Sequence, residues 1–392
     1  MTYFGQASEM DVNNCGHNLV LDAYSRMTGL GNRVYRIREM MAHMEELAVI
    51  HENRSIRPDK FSYAALLRAI MRDTKSNLLG EVKSLISTME ESSTADSRPD
   101  LVIYSMALDA CSKSQDVEAP TFAEELLDRL RRDKSFRPDS AMYATLMKVY
   151  SHAGDPEKSE HLIEVMREEF NAGNISCRLR ETDFRTAIIA WIKSERPQAL
   201  DRAMHLFEEM IGEYRGGNGN CRPRSRTYRD LMTILSLSSS PGTNKLVLGQ
   251  SILQSMDEMR VPWDLQVWNT FLRVCTRCTG DEDTRKAALQ AASEVLDAFH
   301  TRDSAKPDST TYIHMLVAGK NLILGDSNAM VDYLSDVFHK CAADGLVNEE
   351  ILLALRKFLP PRDFVSLTAQ DPNTQLNMKA VPYVWKRNAV IK

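Results

Sequence analysis

Apolar residues recur along most of the chain at intervals of three and four, and an aromatic residue leads nearly every run. Tyr63, Tyr104, Tyr143, Phe184, Tyr228, Trp268 and Tyr312 are these leading anchors, and His17 holds the matching place at the start. Three and four residues on stand Val20-Leu21, Leu66-Leu67, Ala107-Leu108, Leu146-Met147, Ala187-Ile188, Leu231-Met232, Phe271-Leu272 and Met315-Leu316. Six residues on comes a small or β-branched side chain: Ala23, Ala69, Ala110, Val149, Ala190, Ile234, Val274 and Ala318. These offsets fall on one face of an α-helix. The anchors follow one another at 46, 41, 39, 41, 44, 40 and 44 residues.

A second apolar helical run follows in each repeat, such as Val82, Leu85, Ile86 and Met89, or Ala203, Leu206, Phe207 and Met210. Turn signals separate the two, as at Ala153-Gly154-Asp155-Pro156, where Pro156 suits a first helical turn because its missing N–H is not needed there. The dipeptides Pro58-Asp59, Pro99-Asp100, Pro138-Asp139 and Pro307-Asp308 precede segments starting at Lys60, Leu101, Ser140 and Ser309. In each, Pro ends the extended linker and Asp can cap the first free N–H groups. Pro262-Trp263-Asp264 precedes the Trp268 repeat, whereas the Phe184 and Tyr228 repeats lack the Pro-Asp dipeptide.

The predicted fold is all-α: about eight helix–turn–helix repeats stacked into an α-solenoid superhelix, without a sheet. No single repeat can bury its apolar face alone, so neighbours must stack. The expected organisation is an N-terminal extension over 1–13, the array over 14–348, and a C-terminal cap and tail over 349–392, where Pro360, Pro361, Pro372 and Pro382 break the pattern. Glu91–Ser97 and Gly212–Cys221 read as flexible surface loops, being polar or Gly-rich.

Composition narrows the function. With 392 residues, 43% apolar and 26% charged, the chain is long enough for a sizeable core and is not globally disordered. Lys plus Arg is 49 and Asp plus Glu is 54, a net charge of −5, which argues against a wholly basic nucleic-acid binder but not against a local basic patch. Seven Cys with only one close pair fit a reducing compartment better than a disulfide-stapled secreted fold. No apolar run reaches the ~18 residues of a membrane span. The first 25 residues contain Glu9, Asp11 and Asp22 but no Lys or Arg, which is neither a signal peptide nor an Arg-rich transit peptide. Either the protein is not imported or the chain lacks its natural N-terminus.

Period alone would fit HEAT-type helical pairs. The motifs point elsewhere. Lys60–Met71 (KFSYAALLRAIM), Leu101–Ser112 (LVIYSMALDACS) and Ser140–Gly154 (SAMYATLMKVYSHAG) resemble the opening helix of the pentatricopeptide repeat. The closing Pro-Asp and the second helix at Ala203–Met210 fit the same family. The resemblance spans roughly residues 14–348. It implies a protein that binds single-stranded RNA at about one base per repeat, in a mitochondrion or plastid, and acts on transcript stability, processing or translation without catalysis.

In that family the base-reading side chains are the residue after the anchor and the residue closing the repeat. Carried over, the first repeat pairs Asn18 with Asp59, the third Ser105 with Asp139, and the seventh Asn269 with Asp308. The resemblance implies uracil for the Asn/Asp pairs and guanine for the Ser/Asp pair, each discriminating by roughly 1–3 kcal/mol on the scale of DNA base contacts. The remaining repeats depart from the pattern: Ala64 with Asp100, Ala144 with Arg180, Arg185 with Arg224, Arg229 with Asp264, and Ile313. Helix capping is the alternative role for the closing aspartates and is compatible with reading. Arg178, Arg180, Arg185, Arg222, Arg224, Arg226 and Arg229 cluster mid-chain. They offer phosphate contacts, with solvated loop charge as the alternative; Arg185, Arg224 and Arg229 are the candidates.

Other chemistry finds little support. Cys275-Thr-Arg-Cys278 is a lone pair where zinc needs four ligands. His43-Met-Glu45 has the form of half a deaminase motif but lies some 230 residues earlier, inside a repeat helix. Gly216-Gly217-Asn218-Gly219 lacks the Lys-Ser/Thr of a phosphate loop. Glu124-Glu125 and Glu208-Glu209 read as solvated outer-face carboxylates. No metal, cofactor, membrane or small-molecule substrate is expected. The rival reading is a helical-repeat scaffold for protein partners, for instance within an organellar ribonucleoprotein.

Overall fold

The computed structural model describes residues 14–27, 31–73, 77–92, 94–132, 137–262, 264–301 and 306–389. The proposed extension over 1–13 and Trp263 lie outside them. The described residues are helical, with no strand among them.

The chain forms two compact units, Met1–Leu179 and Arg180–Lys392. In the first, the opening helices are α1 (Asn14–Arg26), α3 (Lys60–Asp73), α5 (Leu101–Lys113) and α7 (Ser140–Ala153); the closing helices are α2 (Arg33–Ile50), α4 (Leu78–Glu91), α6 (Ala119–Arg132) and α8 (Pro156–Asn171). Each opening helix packs on its own partner and on the next opening helix, so α1, α3, α5 and α7 form one layer. The second unit repeats the plan. Its opening helices are α9 (Glu181–Ser194), α11 (Ser225–Leu237), α13 (Leu265–Cys275) and α15 (Ser309–Leu322), and its closing helices are α10 (Ala199–Arg215), α12 (Gly242–Glu258), α14 (Glu282–Thr301) and α16 (Ser327–Ala343).

The apolar pattern becomes the core as predicted. Every residue of the paired positions is buried except Val20, and every small residue six places on except Ala23. Both exceptions lie on α1, which no described helix precedes. Tyr143, Phe184, Tyr228 and Tyr312 are fully buried. Each fully buried large apolar side chain stabilises by about 1.5–3 kcal/mol.

Helices start where the Pro-Asp signals place them. Asp59 accepts from the Phe61 and Ser62 N–H groups, Asp100 from Val102 and Ile103, Asp139 from Met142, and Asp308 from Thr311. Pro156 opens α8, and Gly154 ends α7 in the left-handed region (φ 74°), where a side chain would be strained.

A stitch between neighbouring opening helices is absent from the sequence pattern. In four repeats the residue nine places after the anchor reaches carbonyls at the C-terminal end of the preceding opening helix. Arg72 donates to the Ser25 and Arg26 oxygens (3.1 and 3.0 Å), Arg277 to Ser236 (2.8 Å) and Asn321 to Thr276 (3.0 Å). His152 Nδ1 lies 2.8 Å from the Ser112 oxygen, and since a carbonyl can only accept, that nitrogen carries the proton. These are carbonyls a helix end leaves unsatisfied.

The two stretches expected to be flexible loops are partly built. Short 3₁₀ turns at Arg54–Ile56, Ala95–Ser97, Ile175–Cys177 and Gly219–Cys221 each bury their last residue: Ile56, Ser97, Cys177 and Cys221. The Ser97 hydroxyl donates to the Pro58 carbonyl (2.8 Å), as Asn174 does to Pro138 (2.9 Å). Helix α10 runs to Arg215, deep into the expected second loop, and Asn218 is buried beyond it. One buried plug per linker carries no periodic signal, so the polar composition hid it.

Past 348 the second unit continues. Helix α17 (Glu349–Phe358) is capped by Asn348, which accepts from the Ile351 N–H (2.9 Å), and packs on α15 as an opening helix would. Leu352 stands where an aromatic anchor stands elsewhere. After α18 (Pro361–Thr368), α19 (Tyr383–Lys386) returns to α16. Trp385 meets Phe338 edge-on, and the Val347 N–H donates to the Trp385 oxygen (2.8 Å).

Candidate nucleic-acid interface

The side chain after each anchor sits on the opening helix, and in the first and seventh repeats it meets the N-terminus of the next. In the first repeat this forms a polar network. Asn18 Nδ2 donates to Asp59 Oδ1 at 3.0 Å, and Asn14 Nδ2 to Asp59 Oδ2 at 2.9 Å. The Ser62 hydroxyl donates to Asn18 Oδ1 at 2.5 Å. Asp59 thereby caps α3 and holds the amide of α1 at once.

The seventh repeat holds the same constellation. Asn269 Nδ2 donates to Asp308 Oδ1 at 3.0 Å, and the Thr311 hydroxyl donates to Asn269 Oδ1 at 2.7 Å. Asn269 is buried at 5% exposure, whereas Asn18 is half-buried, so the first repeat presents the more open amide. The hydroxyls of Ser62 and Thr311 were not singled out from the sequence. The available signal is a Ser or Thr three residues after the closing Asp.

The third-repeat pair is not joined in this way. Ser105 donates to the Leu101 carbonyl of its own helix (2.7 Å), and Asp139 caps α7. Near the same end of the first unit, an open groove is lined by Asn14, Asp59, Lys60, Phe61, Asp100 and Tyr104. Exposed apolar side chains on the opening helices of this unit include Phe61 at 63% and Val102 at 59%. Lys60 lies 3.5 Å from the Asp100 carboxylate.

In the second unit, α9 and α11 carry the arginines. Arg185 Nε donates to Asp230 Oδ2 at 2.6 Å in a largely buried ion pair, and Arg229 lies 4.0 Å from the other Asp230 oxygen. Burial pushes the Asp230 carboxyl up, against the pull of Arg185 and Arg229. Arg180 pairs with the buried Asp183 (3.0 Å). Arg224 and Arg226 are exposed, while Arg222, also exposed, donates to the Met259 carbonyl (3.0 Å). In the first unit, Arg178 is exposed. The mid-chain arginines thus divide by partner: Arg180 and Arg185 are tied to carboxylates, whereas Arg224 and Arg226 face solvent.

Cys275 and Cys278 are buried, and burial pushes both thiols up, Cys278 to about 11. A thiol so raised is a poor nucleophile and ligand near neutral pH. Among the described residues no group of three or more His, Cys, Asp or Glu is placed to hold a metal ion, and no helix is long and apolar enough to cross a membrane. His43 lies on α2 beside Glu46. Glu124 is not a simple solvated carboxylate. It accepts from the Tyr150 hydroxyl (2.7 Å) and from Lys158 (2.8 Å) of the next repeat. Although burial opposes it, these two bonds hold Glu124 below the usual carboxylate range.

Stacked helix–turn–helix pairs with an opening-helix layer define a helical-repeat α-solenoid, a class built around extended binding surfaces. Its repeats are similar to those of pentatricopeptide repeat proteins. A pentatricopeptide repeat-containing protein of Arabidopsis thaliana is 30% identical over 140 residues, which are 36% of this chain and 22% of that protein. The crystal structure of the maize pentatricopeptide repeat protein PPR10 is similar at a TM-score of 0.54 and 19% identity, over 88% of this chain and 46% of that one. The structure of PPR10 in complex with an 18-nucleotide psaJ RNA element is similar at a TM-score of 0.45 and 16% identity, over 89% and 49%. The chain therefore spans about a fifth of the curated relative and about half of the maize protein. No family profile matches.

Proposed function

We propose that the array over 14–348 binds single-stranded RNA in a mitochondrion or plastid and acts on the stability, processing or translation of its transcript by occupying it. In this reading 349–392 caps the array and the chain performs no catalysis. The observation that carries the reading is the recurrence of one Asn–Asp network, Asn18 with Asp59 and Asn269 with Asp308, at the junction of successive opening helices. Each Asn keeps one N–H and one oxygen lone pair outside the network, enough for two bonds to the edge of an unstacked base. Ser105 with Asp139 is the third reader.

Exposed Phe61 and Val102 suit the faces of bases, since stacking on an aromatic tolerates any sequence. Arg224 and Arg229 supply phosphate contacts, and Arg185 contributes once its pairing with Asp230 is exchanged for phosphate. A second reading, a scaffold for protein partners of an organellar ribonucleoprotein, draws on α8, where Glu157, Glu164 and Glu168 are exposed.

The test is selection of a randomised single-stranded RNA pool by the purified full chain, with double-stranded RNA as competitor. Enrichment of particular bases at fixed spacing, resistant to the duplex, is expected. Failure to retain any RNA at low salt contradicts the reading and favours protein partners. A tagged full-length protein is expected to co-localise with a mitochondrial or plastid marker; a nuclear or cytosolic signal contradicts the location.

A further inference from the structure

The geometry points to Ser62 and Thr311 as specificity-positioning residues, whose hydroxyls fix which edge of the neighbouring Asn amide meets the RNA base. This inference rests on the RNA-reading role proposed above for Asn18 and Asn269.

Each hydroxyl is fully buried and follows a closing Asp by three residues. It accepts from the backbone N–H of that Asp, at 3.3 Å for Ser62 and 3.1 Å for Thr311. That bond occupies a lone pair on the hydroxyl oxygen and leaves its single proton to be directed elsewhere. The nearest acceptor is the Asn amide oxygen, at 2.5 Å from Ser62 and 2.7 Å from Thr311. The Asp carboxylate is farther, at 3.3 and 3.0 Å.

The amide is therefore gripped on both sides. Its nitrogen must face the carboxylate, which can only accept, and its oxygen faces a hydroxyl whose proton is already aimed at it. Turning the amide over would set its oxygen against the carboxylate. The remaining N–H and oxygen lone pair then point in one order toward an incoming base. Without the hydroxyl, the amide oxygen gains a free lone pair and freedom to tilt, and bases of different donor order become acceptable.

The same arrangement recurs in two repeats with different hydroxyl residues, Ser in one and Thr in the other. Capping of α3 and α15 accounts for the Asp contacts of these hydroxyls. It does not account for the shorter bond to the Asn of the preceding opening helix.

The experiment is pool selection on the full chain as parent, Asn18→Ala, Ser62→Ala and Ser62→Thr, with Asn269→Ala and Thr311→Val as the second site. Thermal melts verify folding, and two sites guard against one variant failing to fold. Asn18→Ala marks the RNA position read by the first repeat. Ser62→Ala is expected to keep overall affinity and salt dependence while lowering base discrimination at that position alone by about fivefold, the order of one hydrogen bond. Ser62→Thr restores it, and Thr311→Val flattens the position marked by Asn269→Ala. If the Asn variants flatten their positions and the hydroxyl variants match the parent, the positioning role is wrong and the RNA reading stands. If the parent selects no base anywhere, both are wrong.

Discussion

The first and seventh repeats differ from the fifth and sixth in what they place after the anchor. In the former, an Asn is gripped by the closing Asp and a buried hydroxyl, so a neutral, oriented amide faces the next repeat. In the latter, Arg185 and Arg229 share Asp230, and Arg224 and Arg226 stand exposed beside them. One backbone position thus carries an oriented hydrogen-bonding group in one region and positive charge in the other. Under the proposed RNA-binding role, oriented amides would discriminate between bases, and charge would hold the phosphate chain without reading it. A net charge of −5 conceals this division, because it averages the arginines of two helices with the acids of the closing-helix layer.

Both regions depend on the anchors that fill the core of their repeats, and the largest predicted effect tests that. Tyr228→Ala removes a fully buried anchor between arginine-bearing α11 and α12, with Phe207 stacked edge-on at 5.4 Å. It is expected to cost about 3–5 kcal/mol, read by denaturant unfolding. A loss under ~1 kcal/mol would mean the anchor is not the core of its repeat.

Breaking the arginine region from inside comes next. Asp230→Asn leaves Arg185 without its charged partner and is expected to destabilise by about 1–3 kcal/mol, less than for a fully buried pair. The freed Arg185 should tighten RNA binding in the same variant. Unchanged affinity would show that Arg185 is purely structural.

The proposed reader region is sharpened by Asn269→Ala. Discrimination at one RNA position is expected to fall by about 1–3 kcal/mol with the salt dependence unchanged. A uniform loss of affinity across sequences would place Asn269 in the scaffold instead.

The smallest effect is a pH dependence. Burial and the nearby Arg273 hold the His314 imidazole below its ordinary value, against a weaker opposing pull from Asp308. The unfolded chain then binds the proton more readily than the folded one, so stability falls as pH drops below about 6.5. His314→Gln should flatten that fall in melts between about pH 7.5 and 5. An equal slope in both proteins would assign it to other groups.

Much of the fold was legible because helix faces and Pro-Asp caps are local. Lys60, Leu101, Ser140 and Ser309 begin helices where the dipeptides place them, and the anchors are where the core forms. What escaped depends on how one repeat faces the next. The stitches from Arg72, His152, Arg277 and Asn321 cross to a neighbour some 40 residues away, and no periodicity within one repeat announces them. Glu124 looked solvated until Tyr150 and Lys158 of the following repeat were in place. Helix α17 was hidden because Leu352 and Asn348 replace the aromatic and the Asp that mark other opening helices. The candidate readers were nameable by position, but their mutual grip, with Ser62 and Thr311 as third members, needed the geometry.

The most direct test of the division between reading and holding is a salt titration of RNA binding by the parent and by an Arg224→Ala/Arg226→Ala/Arg229→Ala variant. The parent's affinity should fall linearly with salt on logarithmic axes. The variant's slope should be shallower by about 0.7 for each phosphate that is no longer neutralised, with base preferences intact. Equal slopes, or a variant whose base preferences change while its slope does not, would contradict the assignment of charge to α11 and of reading to the Asn–Asp networks.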